Sequence, residues 1–384
     1  MASVLIIVFS RIQHDARLRR QIGFLSPHHH VTVVCLDAPA MEGVEVIRLP
    51  DHKLTFAKKA FAGFFFFFRI YAVAYRLLYP YQHIVKNLRS RTWDLVIAND
   101  VETLPLAFVF KDAGSKILFD AHEYAPRHFE NVWSWRIFFQ PFNIHLCKKY
   151  IPVVDGMITV GWNIADEYNR HFGVLPEVIT NAPGRQSLKP VATANVIRLV
   201  HHGICTPSRK IEWMIEMMRL LPEHFELDLI LMSPERSSPA TIAYLESLKA
   251  LASFTNRIHF RPAVSVEEIL PMLNQYDVGI ILIPPVNFNY EHTLPNKFFD
   301  FIQARVALAI APTPEISAIV KKYKIGVVSD EFSAGSLARQ IGALTPEMIQ
   351  QFKANTEQAA SEFCAEHNAV KFLSLVDQIL TRKN

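Results

Sequence analysis

Two series of short apolar runs, separated by segments with helical patterning, limit this chain to few folds. The first series is VLIIVF, VTVVCL, VEVIRL, DLVIA, KILFD, MITV and EVIT, and the second is VIRLVHHG, LDLILM, RIHF, VGIILI, ALAIA and IGVVS. Short apolar runs that alternate with helices are typical of parallel sheets with crossover helices. The pattern therefore predicts an α/β chain with two Rossmann-like domains in tandem.

The division between the domains is predicted from composition. The segment APGRQSLKPVATANV, after Asn181, is rich in Pro, Ser, Ala and Thr and lacks helical periodicity, and 384 residues exceed the size of a single core. We predict a first domain over 1–185, a linker over 186–196 and a second domain over 197–360. Helical patterning continues from Thr345 to the end, and we predict a C-terminal helix over 361–384.

Composition excludes several classes of function. A net charge of +4 does not indicate a nucleic-acid partner, and the four cysteines form no CxxC pair, as expected of a protein in the reducing cytosol. No GxGxxG or GxxxxGK[ST] element is present, so neither a dinucleotide cofactor nor an ATP-cleaving loop is expected. The N-terminus lacks a basic leader before its apolar run and is read as a first strand rather than a signal peptide.

The segment TLPNKFFDFIQAR, Thr293–Arg305, combines a helix start, a lysine and a carboxylate. It follows the run VGIILI and therefore lies at the carboxyl end of a strand, where open α/β sheets bind ligands. These groups suit a phosphorylated sugar. The alternative is a Lys297–Asp300 pair on an exposed helix face, worth about 0.2–0.5 kcal/mol.

The run VIRLVHHG leads into a second segment that suits an anion, GICTPSRK. Thr206 and Pro207 are typical of an N-cap and a first helical position, which would place Arg209 in the first turn with Lys210 beside it. Amides and a dipole at a helix start, together with a guanidinium, favour a diphosphate. The alternative is that both cations are solvated surface residues.

Polar residues also follow two strands of the first half, in WDLVIANDVETLPL and KILFDAHEYAPR. These candidates are Asn99, Asp100, Glu102, His122 and Glu123, and RIQHDARLRR near the start adds Asp15, Arg17 and Arg20. Ordinary alternatives are a buried structural histidine and arginines exposed on a helix. Neither HExxH spacing nor an Asp-x-Asp element is found, so no metal is expected.

These segments, in both halves of the chain, resemble glycosyltransferase family 4. The resemblance implies the GT-B fold, with two Rossmann-like domains facing a central cleft, and retaining transfer of a hexose-type sugar from a nucleoside diphosphate sugar without cofactor or metal. Asp300 stands where the second of two signature glutamates receives the donor ribose, whereas His292 stands where the first glutamate contacts the sugar. The last helix would pack back on the first domain.

The resemblance assigns roles residue by residue. Catalytic candidates are His122 and Glu123; donor-binding candidates are Arg209, Lys210, Thr293, Leu294, Asn296, Lys297 and Asp300; acceptor-side candidates are Asp15, Arg17, Arg20, Asn99, Asp100 and Glu102. The expected acceptor is a glycan or lipid-linked molecule of polysaccharide or lipopolysaccharide biosynthesis. Two other functions remain open, a GT-B-type nucleotide-sugar epimerase and a catalytically silent membrane-associated scaffold.

An aromatic and basic tract over 58–91 includes the uninterrupted run Phe64 to Phe68. Five consecutive apolar residues cover every side of a helix. One side can pack on the sheet, and the rest must meet lipid, a partner or another part of the protein. The tract is too short and too often interrupted by arginine to span a bilayer. We predict peripheral attachment to the inner face of the cell membrane, with complete burial of the tract as the alternative.

Overall fold

The computed structural model describes residues 1–50, 55–79, 81–232 and 239–382. The chain divides into two compact units. The first comprises Met1–Thr180, the short segment Asn287–Asn289 and the chain from Ala369 onward, and the second comprises Asn181–Val286 and Tyr290–Asn368. Each unit is built around one parallel sheet.

The described part of the first unit contains a seven-stranded sheet in the order β3-β2-β1-β4-β5-β6-β7. Its strands are β1 Ser3–Ile7, β2 His30–Cys35, β3 Val44–Arg48, β4 Leu95–Asn99, β5 Lys116–Ala121, β6 Gly156–Thr159 and β7 Glu177–Val178. Strands β4 and β5 are buried along their whole length and β1 is buried from Val4 onward, which explains why their sequences are rich in Val, Ile and Leu.

The described part of the second unit contains a six-stranded sheet in the order β10-β9-β8-β11-β12-β13. Its strands are β8 Ile197–Ile204, β9 Phe225–Met232, β10 Ile258–Arg261, β11 Val278–Ile281, β12 Ala307–Ile310 and β13 Gly326–Val328. Both sheets follow the Rossmann order, which places a topological switch point between β1 and β4 and another between β8 and β11. The prediction of two Rossmann-like α/β units is confirmed.

Helices connect the strands and cover the sheets. They are α1 Ala16–Leu25, α2 Phe56–Phe67, α3 Tyr71–Leu78, α4 Gln82–Leu88, α5 Leu104–Ala107, α6 Trp133–Phe138, α7 Gln140–Tyr150, α8 Trp162–Phe172, α9 Glu212–Met218, α10 Pro239–Ala252, α11 Val266–Leu273, α12 Phe288–Glu291, α13 Asn296–Gln303, α14 Pro314–Tyr323, α15 Ala334–Gly342, α16 Pro346–Glu362 and α17 Ala365–Thr381.

Alternate residues of β1 enter separate cores on the two faces of the first sheet. Val4 and Ile6 pack in a cluster that includes Phe372 and Val376 of α17. Leu5 belongs to the opposite cluster, which contains residues of α2, α3 and α7. The end of the chain therefore completes the core of the first unit.

The aromatic tract contributes to α2, α3 and α4, and its Pro80 lies outside the described residues. Phe66 is buried, whereas Phe64, Phe67 and Phe68 are 53–63% exposed. Complete burial of the tract, the alternative considered from sequence, is therefore wrong. Among the helices in the described ranges, each is too short or too polar to traverse a bilayer.

Candidate functional site

A pair of cations lies over the carboxyl end of β8, beside the switch point of the second sheet. The backbone of Gly203 has a φ of 131°, which side chains rarely adopt. A Cβ atom there would lie 3.0 Å from Arg209 Nη1 and 3.2 Å from Lys297 Nζ. The two cationic groups are thus no more than about 6 Å apart. Glycine is required here because these side chains occupy the space beside it.

Arg209 reaches this position from a short 3-10 turn, Pro207–Arg209, and not from the first turn of a long helix. Lys210 follows with a left-handed φ of 50°, and α9 begins at Glu212. Thr206 is the N-cap and Pro207 the first residue of this turn, as predicted. The turn ends at Arg209, however, and the Thr206 hydroxyl pairs with Ser208 Oγ instead of capping an amide, so the argument from a helix dipole is wrong. The remaining attraction for an anion is the charge of Arg209 itself, whose side chain is hydrogen-bonded to Tyr290.

Lys210 is placed differently from Arg209. Its Nζ lies 3.4 Å from Glu212 Oε1, and about half of its side chain is exposed. Two neighbouring cations in the sequence therefore have different surroundings, one over Gly203 and one paired at the surface. Lys210 provides a matched control for Arg209 and Lys297.

Lys297 lies in the first turn of α13 and is only 5% exposed, so the exposed-helix alternative is wrong. Its Nζ is 3.1 Å from His201 Nε2, and His201 Nδ1 is 2.9 Å from the carbonyl oxygen of Ile280. Because a carbonyl only accepts, Nδ1 carries the proton and a neutral Nε2 accepts from the lysine. Burial, followed by Lys297, holds the pKa of His201 well below its usual value.

The charge of Lys297 is itself opposed by its surroundings. Burial, followed by the positive charge of Arg209, lowers the pKa of Lys297, while Asp300 acts in the other direction. Two cations held together in a partly buried position repel one another, and a bound polyanion would relieve this repulsion. The arrangement suits a diphosphate.

Asp300 lies one turn after Lys297 on α13, with Oδ2 3.6 Å from His202 Nε2. Burial, followed by Lys297 and Arg209, lowers the pKa of His202 to about 3, so this imidazole is neutral at physiological pH. The other predicted donor residues of this segment lie before Lys297. Leu294 is buried in the core, Thr293 is half-buried, and Asn296 is exposed at the first position of α13.

The first unit has a second polar cluster, at the switch point between β1 and β4. Arg17 Nη2 lies 3.3 Å from Asp100 Oδ2 and 3.8 Å from Asp15 Oδ2, and Arg17 Nη1 lies 3.3 Å from Asp120 Oδ1. The exposed-helix alternative is wrong for Arg17, which is 11% exposed. Three carboxylates surround this guanidinium, so it organises acidic residues at the strand ends. Arg20 lies farther along α1 and is half-buried.

Local geometry fixes each member of this cluster. Asp15 is the N-cap of α1 and accepts from the Leu18 amide at 3.1 Å. Gln21 donates to Asp120 Oδ2 at 3.0 Å and accepts from Asn99 Nδ2 at 3.1 Å. Asp100 has a φ of 67°, a strained conformation for a residue with a side chain. Strain of this kind is concentrated at functional sites, and here it places a carboxylate after β4.

Glu102 and the pair Glu123–His128 add titratable groups near the same strand ends. Burial, followed by Asp100, raises the pKa of Glu102 to about 7. His128 Nε2 lies 2.8 Å from Glu123 Oε2. Burial opposes both charges, but this hydrogen bond leaves the pKa of Glu123 below and that of His128 above the ordinary value. His122, directly after β5, is half-buried.

Several residues of the two clusters were not chosen from the sequence. Asp120 and the histidine pair in VIRLVHHG gave a signal, because polar groups inside an otherwise apolar strand need a partner. Tyr290, in the short α12, and His128, in a turn, gave none, since neither belongs to a recognisable motif. In the portion of the chain that the structure describes, His, Cys, Asp and Glu form no group of three able to hold a metal ion.

Several solved protein structures resemble this chain over nearly its whole length. Sucrose-phosphate synthase from Thermosynechococcus elongatus is 14% identical, with a TM-score of 0.76 over 99% of each chain. HepE of Anabaena, solved with UDP, is 14% identical, with a TM-score of 0.71 over 98% of this chain and 100% of its own. WaaG, a glycosyltransferase involved in lipopolysaccharide biosynthesis, is 12% identical, with a TM-score of 0.63 over 99% and 100%.

The chain has little similarity in sequence to known proteins. No protein-family model matches the chain, and no curated protein sequence matches it. At identities of 12–14% the structural likeness establishes the fold alone. The chain has the GT-B fold.

Proposed function

We propose that this protein is a glycosyltransferase that uses a UDP-sugar. The observation that carries the proposal is the convergence of Arg209 and Lys297 over Gly203, at a switch point where Rossmann-like sheets bind ligands. Two cations within about 6 Å match the charge and spacing of a diphosphate. The nucleotide in the HepE structure supports uridine as the base, and Asp300, on the same helix as Lys297, would receive the ribose hydroxyls.

The proposed reaction retains the configuration at the sugar's anomeric carbon. The bond from this carbon to the diphosphate oxygen breaks, and its electron pair stays with the diphosphate. The acceptor hydroxyl then forms a bond to the same face of the carbon and releases its proton. Arg209 and Lys297 would stabilise the charge on the leaving group, which is the largest electrostatic demand of this step. A covalent sugar–enzyme intermediate is not part of the proposal.

The first unit supplies candidates for the acceptor side. A group that takes the acceptor proton works best with a pKa near the operating pH. Glu102, with a pKa of about 7, meets this condition better than Glu123, whose pKa is lowered. We assign proton acceptance to Glu102 and positioning of the acceptor to the pair Glu123–His128. The role of His122 as a contact to the donor sugar rests on the family resemblance.

A direct test begins with the nucleotide. UDP should stabilise the wild-type protein against heat, Arg209→Gln should abolish this effect, and Lys210→Gln should retain it. Nucleotide sugars are then supplied with and without glycan or lipid-linked acceptors, and products are identified by mass spectrometry. A transferase releases UDP only with acceptor, whereas an epimerase converts the sugar without one. Equal stabilisation of Arg209→Gln and wild type would refute the site.

A membrane surface is the proposed location of the reaction. The exposed Phe64 and Phe67 lie at the end of α2, and the exposed Phe68 directly follows it. Helix α6 adjoins α2, with Trp133 72% exposed and Ile137 47% exposed. We therefore include the exposed residues of α6 in the proposed membrane surface, in addition to the tract 58–91. Aromatic residues grouped on one surface are typical of monotopic membrane contact, and they suit a lipid-linked acceptor.

A further inference from the structure

We propose that a cavity in the first unit, separate from both polar clusters, binds the hydrocarbon chain of the acceptor, a sugar that carries the attacking hydroxyl and is joined to a lipid through a phosphate. This inference rests on the proposed transferase function and specifies its acceptor. The cavity has a volume of about 410 Å³ and lies between α3, α4, α5 and α7. Its size is within the range of binding pockets for small organic molecules.

The walls of the cavity are apolar and aromatic. Tyr75, Tyr79, Tyr81, Leu106, Phe142 and Leu146 are among the side chains that line it. A cavity of 150 Å³ lined by apolar residues takes a benzene ring, so this one has room for a chain of roughly ten carbon atoms. An alkyl chain would bury its apolar surface against these side chains.

The mouth of the cavity carries positive charge. Arg76 and Lys149 line it and are exposed, as are Ala72 and Val109. Carbon chains inside and cations at the entrance match an amphiphile with an anionic head group. A neutral glycan would use neither feature, and a free phosphate would use only the cations. The combination therefore favours a lipid phosphate.

Two contacts join the cavity to the surfaces already described. Tyr75 Oη donates a hydrogen bond to the Glu102 carbonyl oxygen at 2.9 Å, which connects the cavity wall to the turn that carries the proposed proton acceptor. Tyr71, also in the wall, lies against Phe66 of α2, with ring centroids 6.4 Å apart. The cavity therefore adjoins the helix that carries the exposed Phe64 and Phe67, where we propose that the lipid leaves the bilayer.

Calorimetry with soluble alkyl phosphates tests the inference on the full-length protein. Each buried methylene strengthens binding about fourfold, so decyl phosphate, kept below its micelle concentration, should bind more than tenfold tighter than butyl phosphate or inorganic phosphate. Ala72→Trp would fill the mouth at an exposed position and should weaken decyl phosphate binding at least tenfold. Ala250→Trp, at an exposed alanine of α10, is the control and should bind as wild type does.

The outcomes separate the cavity from the proposed function. Equal affinity for decyl and butyl phosphate would overturn the inference, and so would chain-length dependence that persists in Ala72→Trp, because the chain would then lie on the exposed phenylalanines. Replacing both cations, Arg76→Gln with Lys149→Gln, should reduce the preference for decyl phosphate over neutral decyl glucoside. Thermal stabilisation by UDP should be the same in these variants as in the wild type. If UDP failed to stabilise even the wild type, the result would count against the proposed transferase and not against the cavity.

Discussion

Lys297 Nζ lies 3.1 Å from Nε2 of the buried His201, whose other ring nitrogen faces the Ile280 carbonyl. This neutral imidazole holds the ammonium group over Gly203 without neutralising it. A carboxylate in place of the histidine would cancel the charge and leave Arg209 alone with the ligand. The neutral partner thus orients the lysine and preserves its attraction for an anion.

The first prediction concerns Lys297→Met. UDP affinity should fall about 10- to 100-fold, since one charge-assisted contact worth about 1.5–3 kcal/mol is lost. Stability should change by less than about 1 kcal/mol, because the lost hydrogen bond to His201 is offset by relief of repulsion from Arg209. Calorimetric UDP titration and denaturant unfolding measure the two quantities. Lys210→Met is the control, and UDP affinity within twofold of wild type in Lys297→Met would contradict the site.

The second prediction concerns Gly203→Ala. The positive φ makes alanine strained, and its Cβ would meet Arg209 and Lys297 at 3.0 and 3.2 Å. Stability should fall by about 1–2 kcal/mol, and UDP affinity should fall at least tenfold as both cations are displaced. Gly43→Ala provides the control, because Gly43 also has a positive φ but has no neighbour near its Cβ position. A loss of stability in both variants with UDP affinity retained in both would argue against the cation pair.

The strands were predictable, and the details of the donor site were not. Runs such as VGIILI and ALAIA are buried on both faces of a parallel sheet, so their composition alone marks them. The turn at Arg209 depends on the left-handed Lys210 and on a hydroxyl pair between Thr206 and Ser208, which ordinary capping rules do not anticipate.

Hydrogen bonds between residues distant in the sequence were also not predictable. His201 and Lys297 are separated by 96 positions, and the depth at which each lies decides whether the pair is solvated or buried. The sequence supplied the residue types, but the contact depends on how α13 packs beside β8. Asp120 shows the same limit, since its hydrogen bond to Gln21 spans 99 positions.

The third prediction concerns the pH dependence of stability at Glu102. Burial raises the pKa of this carboxyl from 4.5 to about 7, so the folded state retains the proton after the unfolded state has lost it. The wild type therefore loses stability as the pH rises from about 4.5 towards 7. Glu102→Gln has no such proton, so its stability relative to wild type should increase by about 2 kcal/mol between pH 5 and 8.

Urea unfolding at several pH values measures this difference. Glu42→Gln, at an exposed carboxylate of the same unit, controls for the change of one charge. A stability difference between Glu102→Gln and wild type that stays constant with pH would contradict the raised pKa. In transfer assays, the same variant should lose the acidic limb of the pH–rate profile near pH 7.

The fourth prediction concerns the pair Glu123–His128. His128 should titrate above its ordinary pKa in the wild type, and Glu123→Gln should lower the pKa of His128, because the hydrogen bond and opposite charge are lost. The raised pKa of His128 stabilises the folded state at low pH, and this contribution is lost as the pH rises through that pKa. The lowered pKa of Glu123 stabilises the folded state at higher pH, and this contribution is lost as the pH falls through that pKa. The pair should therefore stabilise most at about pH 5–6. NMR titration of the imidazole measures the shift, and an unchanged His128 pKa in Glu123→Gln would exclude the pair.

The last prediction concerns the exposed phenylalanines of the first unit. One fully inserted Phe contributes about 1.5–3 kcal/mol, so the double variant Phe64→Ser with Phe68→Ser should reduce co-sedimentation with anionic vesicles by more than tenfold. Val370→Ser removes a still more exposed apolar residue from α17 and should bind as wild type does. Trp133→Ser should weaken binding as well if α6 shares the surface. Equal recovery of the double variant and the wild type would refute the membrane contact. That result would not bear on UDP binding by Arg209 and Lys297, because the phenylalanines lie in the other unit.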